Sequence, residues 1–163
     1  MIDIIAANST PQYLQIENLA NIIWRAHYIP IVGKPQIDYM LDKFQSAKAI
    51  KQQVKHGFEY FILNYNGVAV GYIAIKQEQN ALFLSKIYVL SDYRGKKIGK
   101  NAMQFVEEKA KSYKLKQIRL TVNIYNANSI KAYETLGFKN MGSLVTDIGN
   151  GFVMDDFEMV KFV

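Results

Sequence analysis

Arg94, Lys96, Lys97 and Lys100 set four cations among two glycines, Gly95 and Gly99, in the stretch Tyr93-Arg94-Gly95-Lys96-Lys97-Ile98-Gly99-Lys100. An apolar run, Leu82 to Leu90, precedes it. An amphipathic pattern follows, with Ile98, Ala102, Phe105, Val106, Ala110 and Tyr113 on one face. The order reads as strand, glycine-bearing loop, helix. The first turn of such a helix has unpaired N–H groups and the positive end of the helix dipole. Phosphate is the natural ligand for that geometry, and the cations sharpen the preference for an anion. Two nucleotide-binding patterns are excluded. There is no G-x-x-x-x-G-K-[ST], since Gly95 and Gly99 lie too close together, and there is no G-x-G-x-x-G. The competing reading is a basic helix start on the surface with no ligand.

Other chemistries find fewer residues. Cysteine is absent, which removes disulfides and thiolate metal sites and fits a reducing compartment. The two histidines form no H-x-x-x-H pair, so no metal site is expected. The net charge is +6, but the lysines outside residues 94–116 are scattered. No arginine-rich or aromatic-interleaved nucleic-acid motif appears. A small polyanion bound at residues 94–100 explains the densest cluster more economically than nucleic acid does. The chain opens Met1-Ile2-Asp3 with no basic leader and has no apolar run long enough to span a bilayer. A cytoplasmic location without membrane attachment is expected.

The elements that must position the loop follow from periodicity. Half of the 163 residues are apolar, enough for one domain with a core, residues 1–163. Ile2, Ile4 and Ile5 predict a short strand. A helix capped at Ser9 or Thr10 carries Leu14, Leu19, Ile22 and Ile23 inward and runs to about Tyr28. Pro30, Gly33 and Pro35 should break it. Helical spacing resumes from Gln36 to Phe44, and Ser46 caps a further helix to Gly57. A strand is predicted from Phe58, where Phe58, Tyr60 and Ile62 alternate with Glu59, Phe61 and Leu63, and the hairpin signal Asn66-Gly67 joins it to a second over Val68–Lys76. A third, Leu82–Leu90, is apolar on both faces, which predicts a central, doubly covered strand. Gln117–Tyr125 alternates strictly. A short helix follows, with Ile130, Tyr133 and Leu136 on one side and Gly137 at its C′ position. Phe138–Ile148 and Phe152–Phe162 close the chain as a hairpin around Gly149-Asn150-Gly151.

This order resembles the GNAT superfamily of acyl-CoA-dependent N-acyltransferases. The loop matches the family's [QR]-x-x-G-x-[GA] at Arg94 and Gly99, departing at Lys97, where the family usually has glycine. The segment from Asn126 to Phe138 matches N-x-x-[AS]-x-x-x-Y-x-x-x-G-F. The resemblance implies a mixed α/β (α+β) GNAT-like fold, with a central, mostly antiparallel, twisted sheet of about seven strands and helices on both faces. It also implies acetyl-CoA as co-substrate, with no metal.

By that resemblance the backbone N–H groups of Arg94, Gly95, Lys96, Lys97, Ile98 and Gly99 bind the coenzyme's pyrophosphate. Lys96, Lys97 and Lys100 become candidates for its 3′-phosphate, against the alternative of solvated surface lysine. Lys97 is expected to be helical, where lysine is tolerated; a positive φ there would carry a penalty on the order of 1 kcal/mol. The family binds the pantetheine arm beside the third meander strand, here Ile87, Tyr88 and Val89, whose side chains read as core. Tyr133 is the expected general acid for the departing thiolate, against a purely packed tyrosine. Asn126 is expected to cap its helix or touch the pantetheine. The family's frequent glutamate base falls at Thr121, which cannot act as a base; a water chain, Glu59, His27 or Asp147 could substitute. Trp24, His27, Tyr28, Tyr39 and Asp147 are expected near the acceptor amine, from a small molecule or a peptide. Alternatives are a catalytically weak acyl-CoA-binding regulatory module and a nucleic-acid-binding protein. A homodimer is compatible with the sequence.

Overall fold

The computed structural model describes all 163 residues. The elements run β1 (Ile2–Ala6), α1 (Thr10–Val32), α2 (Lys34–Gln45), α3 (Ala47–Lys55), β2 (Phe58–Tyr65), β3 (Val68–Gln77), β4 (Leu82–Val89), α4 (Ile98–Ser112), β5 (Gln117–Asn123), α5 (Ala127–Thr135), β6 (Lys139–Gly149) and β7 (Phe152–Phe162). Seven strands form one mixed sheet in the order β1-β2-β3-β4-β5-β7-β6. The contacts divide the chain into two compact units: Met1–Gln77 with Leu84–Val106, and Glu78–Phe83 with Glu107–Val163.

In the first unit, β1, β2 and β3 pair antiparallel. Asn66 and Gly67 both take positive φ (49° and 83°) in the two-residue turn between Tyr65 and Val68. That is the turn whose twist matches the strands it joins. Helices lie on both faces of these strands. Successive strand residues point to opposite sides. Tyr60 therefore turns toward the α1–α3 side, where its hydroxyl meets Gln45 and Gln53. Phe61 turns the other way and meets Phe105 of α4 edge-on.

Two expectations about the amino-terminal helices are corrected. α1 does not stop near Tyr28 but runs through Pro30 to Val32. Pro30 sits in the last turn, where it forfeits the one bond that an N–H there would donate to Ala26 O, while beyond it the Gly33 N–H still donates to Ile29 O. Gly33, with φ 87°, then closes α1 and opens α2. The buried stripe of α1 is Tyr13, Ile16, Leu19, Ala20, Ile23 and Trp24; of the residues expected inward, Leu19 and Ile23 are buried, whereas Leu14 and Ile22 are exposed.

In the second unit, β5 and β6 each pair antiparallel with β7. β4 joins β5 in parallel through only two residue pairs, Leu82↔Ile118 and Phe83↔Arg119. Arg119 stacks its guanidinium over Phe83 at 4.3 Å and holds Glu78 through two hydrogen bonds. The Glu78 carboxylate, aided by Glu158, holds the Arg119 guanidinium more firmly protonated than usual.

The candidate functional site

The loop comes first. A 3-10 turn, Ser91–Tyr93, ends β4, and the Arg94 N–H donates to Ser91 O at 3.2 Å. The first helical bond beyond the loop runs from Asn101 N–H to Lys97 O, at 3.1 Å. The N–H groups of Ile98, Gly99 and Lys100 therefore lie ahead of the helix's own ladder. Ile98 is buried and anchors the turn, while Arg94 through Lys97, Gly99 and Lys100 are exposed. A Cβ built on Gly95 or Gly99 would meet no protein atom within 4 Å. Arg94, Lys97 and Lys100 take part in no ion pair. The ammonium of Lys96 lies 5.8 Å from the Tyr65 ring centre. The arrangement is open backbone at a helix start, ringed by uncompensated positive charge, which suits a phosphate group.

Lys97 departs from expectation. Its φ is +64°, beside Gly95 at +81°. The loop thus turns through two left-handed residues, one of which carries a side chain. That conformation brings Cβ against its own carbonyl and is unfavourable for L-residues. Gly99, by contrast, has no positive φ. What glycine offers at position 99 is open space on the solvent side.

β4 also differs from expectation. Leu82 and Leu84 are buried, but every residue from Ser85 to Val89 is only half-buried. Ile87, Tyr88 and Val89 are therefore not core in the full sense, and the pairing with β5 has already ended at Phe83. Gly71 of β3 explains how closely β4 is held from its other side. A Cβ there would stand 2.2 Å from the Tyr88 carbonyl oxygen and 3.1 Å from Val89 Cα.

Behind β4 lies a polar-aromatic network that sequence reading missed. Tyr88 and Tyr28 share a hydroxyl–hydroxyl hydrogen bond of 3.0 Å. Trp24 meets both rings edge-on at 5.8 Å, and Tyr72 lies 5.6 Å from Tyr88. The Tyr72 hydroxyl donates to Gln45 Oε1 at 2.6 Å, Gln45 Nε2 donates to Tyr60, and Tyr60 donates to Gln53. Burial, first of all, pushes the Tyr60 and Tyr72 phenols well above the ordinary tyrosine value. Trp24, expected near the acceptor amine, is buried in the core. His27 packs edge-on against Tyr28, and Tyr39 receives a hydrogen bond from Lys43. Asp38 is held below the usual carboxylate range by Lys34 and then Arg25.

In the second unit, Asn126 is buried and accepts from the Ser129 N–H at 3.4 Å, the capping geometry. The helix it opens ends in a Schellman motif. Gly137, φ 99°, donates to Glu134 O, and the Phe138 N–H donates to Tyr133 O at 3.0 Å. The Tyr133 ring meets the Phe138 ring edge-on at 5.7 Å. The glycine and phenylalanine after the tyrosine therefore fix both its carbonyl and its ring. Tyr133 itself is half-exposed. Thr121 stands opposite Glu158, whose carboxylate lies 3.5 Å from Arg119. Asp147 Oδ1 accepts from the Gly149 N–H, the role of a turn residue. No group of three or more His, Cys, Asp or Glu is placed to hold a metal ion, and no helix is long and apolar enough to cross a membrane.

A mixed sheet whose strand–loop–helix crossing opens on bare amides offers a seat for a phosphate-bearing ligand. The comparisons agree. The family model described as the acetyltransferase (GNAT) family matches residues 16–138, and the chain belongs to that family. It is similar to the spermidine N(1)-acetyltransferase of Thermoplasma acidophilum, 27% identical over 154 residues, spanning 87% of this chain and 92% of the relative. The PaiA N-acetyltransferase of the same organism, solved with coenzyme A, superposes with a TM-score of 0.82 at 22% identity, covering 100% of this chain and 99% of that one. The Arabidopsis thaliana Naa50, solved with a bisubstrate analogue, superposes at 0.72 and 19% identity over 98% and 97%.

Proposed function

We propose that the chain acts as one N-acetyltransferase domain that transfers the acetyl group of acetyl-CoA directly to a primary amine. The observation that carries this is the loop between β4 and α4. Its free helix-start amides, its two glycines with open space beside them and its uncompensated cations fit a pyrophosphate. The acceptor is assigned to small amines or peptide amines, the classes named for the spermidine acetyltransferase and for Naa50.

The roles are those that membership of the family implies for these residues. The amides and cations of residues 94–100 hold the diphosphate, with Lys97 and Lys100 free to meet a further phosphate. The peptide groups of Ile87, Tyr88 and Val89 receive the pantetheine as an added strand. A backbone N–H there stabilises the oxyanion that forms when the amine nitrogen attacks the thioester carbon. As the C–S bond breaks, Tyr133 protonates the leaving thiolate. A phenol of pKa ~10 protonating a thiol of ~8.5 is uphill by roughly 2 kcal/mol, which a hydrogen bond in the transition state offsets. The attacking amine loses its proton to water, since position 121 offers only a hydroxyl and Asp147 is engaged in its turn.

Calorimetry with acetyl-CoA, followed by thiol release over an amine panel, tests the reading. Binding heat with thiol release is expected. Heat without release across the panel would make the chain a binding module, and no heat would remove the cofactor site. Tyr133→Phe should lower kcat about 100-fold and leave acetyl-CoA affinity nearly unchanged. Unchanged kcat would take the acid role from Tyr133.

A further inference from the structure

The chain has 14 aspartates and glutamates, and Asp156 alone among them is buried, at 5% exposure. A buried carboxylate is costly to a fold unless its surroundings answer it. Such departures from the usual pattern gather at functional sites. Asp156 takes no part in the steps assigned to Tyr133 or to the loop before α4.

Strand register shows which way Asp156 points. Ile118, Leu120 and Val122 of β5 stand opposite Lys161, Met159 and Phe157 of β7. Lys161 pairs with Glu107, so α4 covers that face. Residues directly opposite each other share a face, and successive residues alternate. Arg119, Thr121 and Asn123, with Val160, Glu158 and Asp156 across from them, therefore form the other face. There Arg119, Thr121 and Glu158 are only half-buried. Glu158 is engaged with Arg119 at 3.5 Å, which also holds Glu78.

Asp156 lies across from Asn123, one step along this face from Thr121 and Glu158. Asn123 and Asn126 are each buried at 5% as well. The Asn126 N–H donates to Asn123 O at 2.9 Å. Asn123 Oδ1 accepts from the Tyr125 N–H, and Asn126 Oδ1 from the Ser129 N–H. Both side-chain amides are thus oriented by the backbone, with their Nδ2 groups turned away from it. Apart from Gln45, these three are the buried amide and carboxylate side chains of the chain. They gather where β5 gives way to α5, the helix of Tyr133.

We propose that Asp156 is the final proton acceptor for the attacking amine, reached through one water oriented by the two asparagine amides. The proposal rests on the acetyl-transfer reading and gives the proton lost to water a destination. The neutral amine nitrogen attacks the thioester carbon and becomes positively charged. The water takes the N–H proton and passes one to the Asp156 carboxylate. The C–S bond breaks, and the sulfur takes the Tyr133 proton. Amide and thiol leave, with Asp156 protonated and Tyr133 a phenolate. Transfer of one proton from acid to phenolate through solvent resets both.

The amine of the panel that gives the fastest thiol release with acetyl-CoA is the probe for the test. Asp156→Asn should lower kcat about 100-fold, with KM for acetyl-CoA and Tm nearly unchanged. Asp156→Ala should lose as much, and added formate, a carboxylate small enough for the space left, should restore part of its rate. Asp155→Asn, next in the chain on the opposite face, should keep the original kcat. Undiminished kcat in Asp156→Asn, or an equal loss in Asp155→Asn, would overturn the proposal and leave the acetyltransferase reading standing. So would a folded Asp156→Ala that formate does not revive, since Asp156 would then serve packing alone. No thiol release by the unaltered chain with any amine would remove the transfer reading and this proposal with it.

Discussion

Gly71→Ala places one methyl group where β3 backs the strand assigned to the cofactor. The new Cβ would stand 2.2 Å from Tyr88 O and 3.1 Å from Val89 Cα. Both are backbone atoms, so no rotamer change relieves the overlap, and the strands must part by about 1 Å to restore an ordinary contact, an overpacking strain of roughly 1–3 kcal/mol. For a chain of this size that lowers Tm by about 2–12 °C. The same displacement moves the peptide groups of Tyr88 and Val89, and a misplacement of about 1 Å can reduce turnover on the order of 100-fold. Differential scanning fluorimetry reads the first effect, and kcat/KM for acetyl-CoA reads the second. A variant with unchanged Tm would refute the close approach of Gly71 to β4. A variant with lowered Tm but undiminished kcat/KM would refute the use of Tyr88 and Val89 by the cofactor.

Three further outcomes are expected. Gly99→Ala meets no protein atom, so it should leave Tm of the free protein unchanged yet weaken acetyl-CoA binding; equal affinity in calorimetry would show that no ligand approaches that carbon. Lys97→Gly removes a left-handed lysine worth ~1–2 kcal/mol of strain and adds ~0.5–1 kcal/mol of chain entropy, so Tm should rise modestly. Its acetyl-CoA affinity should fall with a shallower salt dependence, which titrations at two ionic strengths would measure. Finally, Tyr60 and Tyr72 favour their neutral forms in the fold. Their contribution to stability is fully present below the unfolded value of 10.0 and is lost as pH rises above it. The urea midpoint should therefore drop above pH 10, and a flat profile there would contradict the burial of both phenols.

The hairpins and most strand limits were legible because local chemistry dictates them. Asn66-Gly67 needs two positive φ values whatever lies around it, and β7 runs over the predicted Phe152–Phe162. The position of Gly137 was legible for the same reason. The end of α1 was not, because a proline in a last turn looks like any helix breaker until its neighbours are placed. Lysine is a good helix former, so nothing local announced the left-handed Lys97. The half-exposure of Ile87–Val89 was hidden because apolar side chains look alike in sequence whether or not the fold covers them fully. Gln45 joins Tyr60 and Tyr72 across 15 and 27 residues, a contact only the tertiary fold creates. Motif spacing marked the loop and the Tyr133 helix as candidates, and the Schellman turn gives the physical reason for the spacing of Tyr133, Gly137 and Phe138.

Trp24 is the sole indole of the chain, buried and touched by Tyr28 and Tyr88. The protein thus carries a built-in optical probe whose emission comes from a single known place. Tyr88 lies on the strand assigned to the coenzyme arm, so occupancy of that strand should register as a change in tryptophan emission, with no dye attached.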